Sequence, residues 1–193
     1  MATERLLSPT DSPEDAVSGN ILRPTTLPEY IGQRELIERL SIAVEAGRKR
    51  KEPIEHVLFH GPPGLGKTTL AHVIATEMGS KVHATSGPAL ARGTDLVATL
   101  TRLEPNDVLF IDEIHRLPVA VEEFIYPAME DFRIDGTIDA GLHAQTVQIK
   151  CKPFTLIGAT TRAGLLSAPL RSRFGLVHHL QYYNADDLLR IVH

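Results

Sequence analysis

A glycine-rich stretch in the first half of the chain has the residue types and spacing that a polyphosphate site needs. It reads Gly61-Pro62-Pro63-Gly64-Leu65-Gly66-Lys67-Thr68-Thr69, the pattern of a Gly, four residues, Gly-Lys, then Ser or Thr. Glycines have no Cβ, so their backbone N–H groups can close around phosphate oxygens. Lys67 can place a positive charge at the β- and γ-phosphates, and Thr68 can offer a hydroxyl to Mg²⁺. We interpret the stretch as a phosphate-binding loop rather than a structural Gly/Pro turn.

A pair of carboxylates follows the next strongly apolar run. Val108–Ile111 is continuously apolar, which is typical of a strand buried on both faces, and Asp112 and Glu113 come directly after it. Asp112 can hold Mg²⁺ directly or through water, and Glu113 can polarise an attacking water. The alternative is a surface acidic turn. His115, two positions further on, either senses the γ-phosphate or packs at the start of a helix, and the sequence leaves both readings open.

Two further sets of polar residues flank later strands. Thr160 and Thr161 end the run 154–159, where a hydroxyl can contact the γ-phosphate or the attacking water, or can be an ordinary strand end. Arg171 and Arg173 precede the last apolar run. An arginine there could reach a neighbouring subunit and stabilise charge on a transferred phosphoryl group, or it could form a structural salt bridge.

These residues require strands and helices that present them at one place. The short apolar runs predict five strands: 56–60, 81–85, 108–111, 154–159 and 176–180. Helical spacing alternates with them after the glycine-rich loop, at about 94–103, at 118–130 and from 186 to 192. Strands that alternate with helices predict an α/β fold with a mostly parallel five-stranded sheet flanked by helices.

Other segments have residue patterns of their own. Residues 1–20 are polar and without periodicity, and we expect a flexible tail. Residues 36–44 predict an amphipathic helix that ends in the basic run 48–51, which we interpret as a solvated helix end. Pro127 is expected to kink or break the helix at 118–130. The alternation over 132–150 predicts a β-hairpin inserted into the fold.

Composition limits the possible classes. The chain has 193 residues, 42% of them hydrophobic, which fits one large domain. No window has the length of an apolar membrane span, the N-terminus has no apolar signal region, and the single cysteine excludes an intramolecular disulfide, so we expect a cytoplasmic protein. A net charge of −4 disfavours a broadly basic nucleic-acid surface. The nine histidines lack metal-ligand spacing, and we expect them to be structural or on the surface.

The order of the motifs resembles that of AAA+ ATPases. Gly61–Thr69, Asp112–His115, Gly158–Gly164 and Pro169–Gly175 follow one another as in that class. Within it, Ile157–Gly164, Ala128–Phe132 and the inserted hairpin resemble the RuvB family of Holliday-junction branch-migration motors more than clamp-loader subunits. The resemblance covers residues from about 20 to 193.

The resemblance implies a role for each matching position. Asp112 and Glu113 would be the catalytic pair, Thr161 rather than Thr160 the residue that senses the γ-phosphate, and Arg173 rather than Arg171 the arginine finger. Thr68 and Asp112 would hold Mg²⁺. The positions that would contact ATP or ADP, Thr68 again among them, are Leu22, Arg23, Tyr30, Ile31, Gly61, Pro62, Gly64, Leu65, Gly66, Lys67, Thr68, Thr69, Glu130, Asp131, Phe132 and Tyr183.

The resemblance also implies a function and partners. We expect an ATP-hydrolysing motor subunit that drives branch migration in homologous recombination and DNA repair. The subunit would assemble into a homo-hexamer. Its partners would be RuvA, RuvC, four-way junction DNA and duplex DNA. The hairpin near 132–150 would contact RuvA. Relatives of this kind continue into a helical lid and a winged-helix DNA-binding domain, which we expect to be absent here. The alternatives are a clamp-loader-like switch or a nucleotide-binding core that is inactive alone.

Overall fold

A computed structural model describes residues 23–138 and 145–192. The helices, in chain order, are α1 (Arg34–Arg50), α2 (Lys67–Met78), α3 (Gly93–Leu100), α4 (Val119–Asp131), α5 (Ala168–Ser172) and α6 (Ala185–Val192). The strands are β1 (Val57–His60), β2 (Val82–Ser86), β3 (Val108–Asp112), β4 (Arg133–Ile138), β5 (Gln145–Lys150), β6 (Thr155–Thr160) and β7 (Leu176–His179). Short 3₁₀ turns occupy Gly87–Ala89, Ile114–Arg116 and Ala163–Leu165.

Five strands form one parallel sheet in the order β2-β3-β6-β1-β7. In the register, Val57 of β1 lies between Ile157 of β6 and Leu176 of β7. Because all five strands run the same way, their last residues meet at one edge of the sheet, which we call the carboxyl edge. Their first residues meet at the opposite edge, the amino edge. The five-stranded sheet predicted from the sequence is confirmed, and within the described residues it is wholly parallel.

The sheet is buried on both faces because its strands carry apolar side chains at consecutive positions. Val57 and Phe59 face α1 and α2, whereas Leu58 between them faces α3 and α4. β3 alternates in the same way, with Phe110 on the first side and Leu109 on the second. The two layers of helices therefore fix the sheet and hold the polar residues at its edges in place.

The predicted hairpin is present as an antiparallel pair outside the main sheet, with Ile134 of β4 opposite Ile149 of β5. Residues 139–144 of the predicted hairpin lie outside the described residues. So do Leu22 and the predicted tail 1–20.

Of the two expected effects of Pro127, a kink or a break, the break does not occur, because α4 continues past it to Asp131. Proline removes one backbone donor, and its ring crowds the preceding turn. Here Ile125, Ala128 and Met129, on both sides of Pro127, are buried in the core, so packing holds the helix together. No helix among the described residues is long and apolar enough to cross a membrane.

Candidate nucleotide site

The glycine-rich loop joins β1 to α2 at the carboxyl edge. Gly66, the residue before α2, has a φ of 84°, and a Cβ there would collide with the hydroxyl of Tyr30. Gly61 has a φ of 139°, and its missing Cβ leaves room for the carbonyl of Leu180. No side chain caps the N-terminus of α2. Its first N–H groups and the positive end of the helix dipole are therefore available to an anion.

Lys67 occupies the first turn of α2 with its side chain turned back over the loop. Its Nζ donates to the carbonyl oxygens of Gly61, at 2.9 Å, and Pro62, at 2.6 Å. Burial lowers the pKa of this ammonium, while the nearby carboxylates of Asp112 and Glu113 oppose the shift. No salt bridge joins Lys67 to either carboxylate among the described residues. The charge is partly desolvated and partnered only by neutral carbonyls, which suits an incoming polyphosphate.

β3 and β6 are neighbours, so their ends bring Asp112, Glu113 and Thr161 together at the carboxyl edge. The Asp112 Oδ1 accepts the backbone N–H of Glu113 at 2.9 Å, leaving its second oxygen without a hydrogen-bond partner within this part of the structure. The Thr161 hydroxyl lies 3.4 Å and 3.5 Å from the two carboxylate oxygens of Glu113. These contacts are long for hydrogen bonds of their type, so Glu113 remains available to a water.

Thr160, by contrast, is fully buried. Its Oγ1 lies 2.8 Å from Nδ1 of His115 and accepts the backbone N–H of Arg162 at 2.9 Å. The same His115 nitrogen is 3.1 Å from Oε2 of Glu113. Thus only Thr161 of the two threonines faces the open side, and His115 packs beneath Glu113 in contact with Thr160.

Two of the residues that the resemblance assigns to nucleotide contacts, Tyr30 and Tyr183, lie at the loop. Tyr30 and Tyr183 contact each other through their hydroxyls at 3.0 Å, and both donate to the carbonyl of Leu65, at 3.2 Å and 3.3 Å. Burial, with the neighbouring Tyr183, raises the pKa of the Tyr30 phenol. Ile31 follows Tyr30 directly, half-buried, whereas Arg23 is exposed. Leu22 lies outside the described residues.

The residues fit a magnesium ion that is bound together with a nucleotide. Thr68 is exposed in the first turn of α2, and Asp112 is partly exposed across from it at the end of β3. Within residues 23–138 and 145–192 no three His, Cys, Asp or Glu side chains form a metal cage. Mg²⁺ commonly uses one or two protein ligands and takes the remainder from phosphates and water. A hydroxyl and a carboxylate therefore suit magnesium with nucleotide, and not a metal held by the protein alone.

Arg173 lies at the amino edge, away from the loop of its own chain. It precedes β7, and its guanidinium contacts Oε1 of Glu130 at 3.0 Å and donates to the carbonyl of Pro169 at 2.7 Å. It also lies over the ring of Tyr126, 4.2 Å from the centroid. The rise of β6 from Thr155 to Thr160 separates the two edges by about 17 Å. Arg171 is exposed on the same helix end.

Glu130, Asp131 and Phe132, which the resemblance assigns to nucleotide contacts, also lie at the amino edge. Glu130 pairs with Arg173, Asp131 with Arg133 at 3.3 Å, and the ring of Phe132 meets that of Phe154 edge-on with centroids 5.9 Å apart. The structure therefore does not bring these three residues to the phosphate loop of their own chain.

Two structural contacts near the sheet edges were not predicted by any sequence motif. His56 Nδ1 accepts the N–H of Leu156 at 2.9 Å, and its Nε2 contacts the carbonyl of Met129 at 3.0 Å. The side-chain amide of Gln33 exchanges two hydrogen bonds with the backbone of Gln181, at 2.6 Å and 3.2 Å. The sequence signal was weak: a histidine at the start of an apolar strand, and a polar residue before a helix.

Comparison with known proteins agrees with the fold. The family model for the P-loop domain of the Holliday junction DNA helicase RuvB matches residues 22–180. A RuvB subunit of the Holliday junction branch migration complex from Desulfosudis oleivorans is 57% identical over 171 residues. That match covers 89% of this chain and 50% of the relative.

Solved structures of Thermotoga maritima RuvB are similar as well. One described as the Holliday junction branch migration motor has 53% identity and a TM-score of 0.78, over 89% of this chain and 52% of that one. A Pro→Gly mutant of the same protein has 54% identity and a TM-score of 0.80, over 88% of this chain and 53% of that one. The chain thus spans about half the length of the relatives it matches.

Proposed function

The chain belongs to the RuvB family, and on that premise we propose that it forms the ATP-hydrolysing part of a motor that drives branch migration of Holliday junctions in recombination and repair. The observation that carries the proposal is the meeting of Lys67, Asp112, Glu113 and Thr161 at the carboxyl edge. A charge for the phosphates, a carboxylate for Mg²⁺, a carboxylate base and a polar hydroxyl are the parts that phosphoryl transfer to water requires.

Each residue at the carboxyl edge has a role in this proposal. Lys67 and the free N–H groups of α2 bind the β- and γ-phosphates of ATP. Thr68 and Asp112 hold the Mg²⁺, which neutralises charge on the transferred phosphoryl group when it is bound. Glu113 orients and deprotonates the water, and Thr161, whose hydroxyl is close to the Glu113 carboxylate, contacts the γ-phosphate or that water.

The amino edge supplies the second half of the site in a neighbouring subunit. Arg173 cannot serve the loop of its own chain across the sheet, so it would act in trans as an arginine finger. Glu130, Asp131 and Phe132 lie beside it and would meet the same nucleotide from the neighbouring copy. This arrangement requires a head-to-tail assembly, which forms a ring where the rotation between subunits closes, and a homo-hexameric ring is the assembly we propose.

The proposed partners are RuvA, with the hairpin β4–β5 as the contact surface, four-way junction DNA, and RuvC when the junction is resolved. The hairpin projects from the amino edge outside the main sheet, which leaves it available to a partner. Contact with duplex DNA would belong mainly to the part of the relatives that this chain does not span.

The decisive experiment measures ATP hydrolysis against protein concentration, with and without RuvA and a four-way DNA junction. We expect the rate per subunit to rise steeply with concentration, because each site needs two copies, and to increase further with both additions. A rate per subunit that does not change with concentration would contradict a shared site. A lack of response to RuvA and junction DNA would contradict the proposed motor.

A further inference from the structure

The turn after β3 places the consecutive residues Glu113, Ile114 and His115 in three different environments. Glu113 has a φ of 47°, an uncommon conformation for a residue with a side chain, and it precedes the 3₁₀ turn Ile114–Arg116. Its side chain is 33% exposed, whereas Ile114 is fully buried and the His115 side chain is 7% exposed. A strained backbone persists only where its surroundings hold it, so the contacts of Ile114 and His115 decide where Glu113 points.

Both of these anchors rest on the same face of β6. A Cβ added to Gly158 would lie 3.0 Å from Cδ1 of Ile114, so the glycine leaves the space that this side chain fills. His115 contacts Thr160 through Nδ1 at 2.8 Å. Gly158 and Thr160 are two positions apart on one strand, and their side-chain directions therefore coincide. The turn is thus fixed to β6 by one apolar and one polar contact.

His115 also contacts the carboxylate that it positions. Its Nδ1 lies 3.1 Å from Oε2 of Glu113. The hydrogen bond of Nδ1 is with Thr160, and the Glu113 oxygen lies beside it without hydrogen-bond geometry. A lone pair on Nδ1 would repel a carboxylate at this distance, so the contact favours the tautomer with the proton on Nδ1. The Thr160 oxygen already accepts the backbone N–H of Arg162 at 2.9 Å and has a second lone pair for His115. One buried imidazole therefore contacts the ends of both β3 and β6, through a hydrogen bond with Thr160 and an electrostatic contact with Glu113.

We infer that His115 is a positioning residue that holds the Glu113 carboxylate toward the attacking water by bridging it to Thr160. The inference rests on the proposed function, because Glu113 is the base of that reaction. The inference gives the two threonines separate roles. Thr160 holds His115 in place through a hydrogen bond, and Thr161 faces the site of the attacking water and the γ-phosphate. In this assignment His115 acts through Glu113 and not by direct contact with the nucleotide or the water.

The first arm of the test needs no turnover and uses the chain without nucleotide. The ¹⁵N resonance of His115 Nδ1 reports which nitrogen carries the proton and what it contacts. We expect an Nδ1-protonated ring whose shift changes in Thr160→Val and in Glu113→Ala, and stays unchanged in Thr101→Val, an exposed threonine of α3's end that serves as control. An Nδ1 signal that neither Thr160→Val nor Glu113→Ala moves would overturn the inference.

The second arm compares two substitutions of His115 in the assembled ATPase. Asparagine can place its amide nitrogen where Nδ1 lies, whereas leucine fills similar space without a donor. We expect His115→Leu to lower kcat at least about tenfold, with ATP affinity within about twofold of the unsubstituted chain, since a small displacement of a catalytic group is costly. His115→Asn should recover most of the rate.

The two arms separate failure of the inference from failure of the proposed function. A His115→Leu variant with unchanged kcat, or with ATP affinity reduced as much as kcat, would contradict positioning. If the unsubstituted chain binds ATP but does not hydrolyse it under any condition, the proposed function fails for this chain. The resonance experiment still decides whether the bridge exists.

Discussion

The two edges of the sheet differ in how completely their charged residues are partnered. At the carboxyl edge Lys67 contacts only carbonyl oxygens, and Glu113 has a long contact with Thr161 and one contact with His115. At the amino edge Arg173 has a carboxylate, a carbonyl and an aromatic ring within reach. The difference indicates that the carboxyl edge has charged groups available to a ligand, whereas the charge of Arg173 is already paired within one chain, although its buried Nε has no hydrogen-bond partner among the described residues.

The contacts of Arg173 are weak enough to be exchanged. Its partner Glu130 is 55% exposed, and an ion pair in such a setting stabilises by at most about 1 kcal/mol. The contact with the Tyr126 ring adds about 0.5–1 kcal/mol. An arginine finger that accelerates hydrolysis about 10³-fold lowers the barrier by about 4 kcal/mol. The gain at a neighbouring site therefore exceeds the loss at the amino edge.

The largest expected effect tests the carboxyl edge alone. Lys67→Ala removes the one charge that contacts the loop carbonyls, and we expect it to abolish ATP binding. Isothermal titration with ATP and Mg²⁺ measures this directly. Lys81→Ala, at an exposed lysine outside the site, should bind normally. Undiminished ATP affinity in Lys67→Ala would mean that the loop is not the phosphate site.

The next effect separates the two edges. Arg173→Ala should leave ATP binding intact and lower turnover by about 10³-fold or more, because it removes charge stabilisation only in the transition state. Arg171→Ala is the matched control, since it lies two positions away and is exposed. A fully active Arg173→Ala chain, or an inactive Arg171→Ala chain, would reverse the assignment.

Mixing experiments sharpen this comparison further. If Arg173 acts in trans, a subunit with Arg173→Ala still has an intact Glu113, and a subunit with Glu113→Gln still has an intact Arg173. Mixed assemblies should then contain some complete sites and regain part of the activity. Activity that never exceeds the sum of the two separate samples would place both residues in one chain's site.

A smaller effect concerns stability at the amino edge. Burial lowers the pKa of His56, so the unfolded chain takes up a proton below the ordinary histidine pKa of about 6.5 while the folded chain resists it. The contribution of neutral His56 to the free energy of unfolding is therefore fully present above about pH 6.5. It decreases as the pH falls, by at most about 1.4 kcal/mol per pH unit.

Urea unfolding between pH 7.5 and 5.5 measures this slope. Partly buried His60 and buried His178 have pKa values lowered in the same direction by desolvation, so the unsubstituted chain sums all three contributions. His56→Gln should be less stable at pH 7.5 and less sensitive to pH. His72→Gln, at an exposed position, should keep the original slope. An unchanged slope in His56→Gln would show that His56 does not stay neutral.

The smallest expected effect is on the free energy of unfolding, at the contact between Tyr30 and the phosphate-binding loop. Tyr30→Phe removes a hydrogen bond to the Leu65 carbonyl and the contact with the Tyr183 hydroxyl. We expect a loss of about 1 kcal/mol in unfolding free energy, because Tyr183 still donates to the same carbonyl. Tyr182→Phe, whose side chain is exposed, is the control. A loss several times larger would mean that Tyr30 alone holds the loop.

Several features followed from the sequence because local rules determine them. The strand, loop and helix around Gly61–Thr69 are specified by residue spacing, and the run Val108–Ile111 could only be buried. The parallel sheet followed from the alternation of strands and helices. The resemblance of the ordered motifs to the RuvB family was confirmed by the comparisons. Pro127 does not break its helix, because its local breaking tendency is weaker than the packing of its neighbours.

Other features depended on distances between residues far apart in the chain, which spacing along the sequence does not contain. Only the fold shows that Thr160 is buried against His115 while Thr161 faces Glu113 on the open side. Neighbouring residues of an extended chain face opposite sides, and the packing decides which side is buried. Only the fold put Glu130 beside Arg173 at the edge opposite the phosphate loop. The sequence thus determined which residues can do the chemistry, and the parallel sheet decided which of them share a site within one chain.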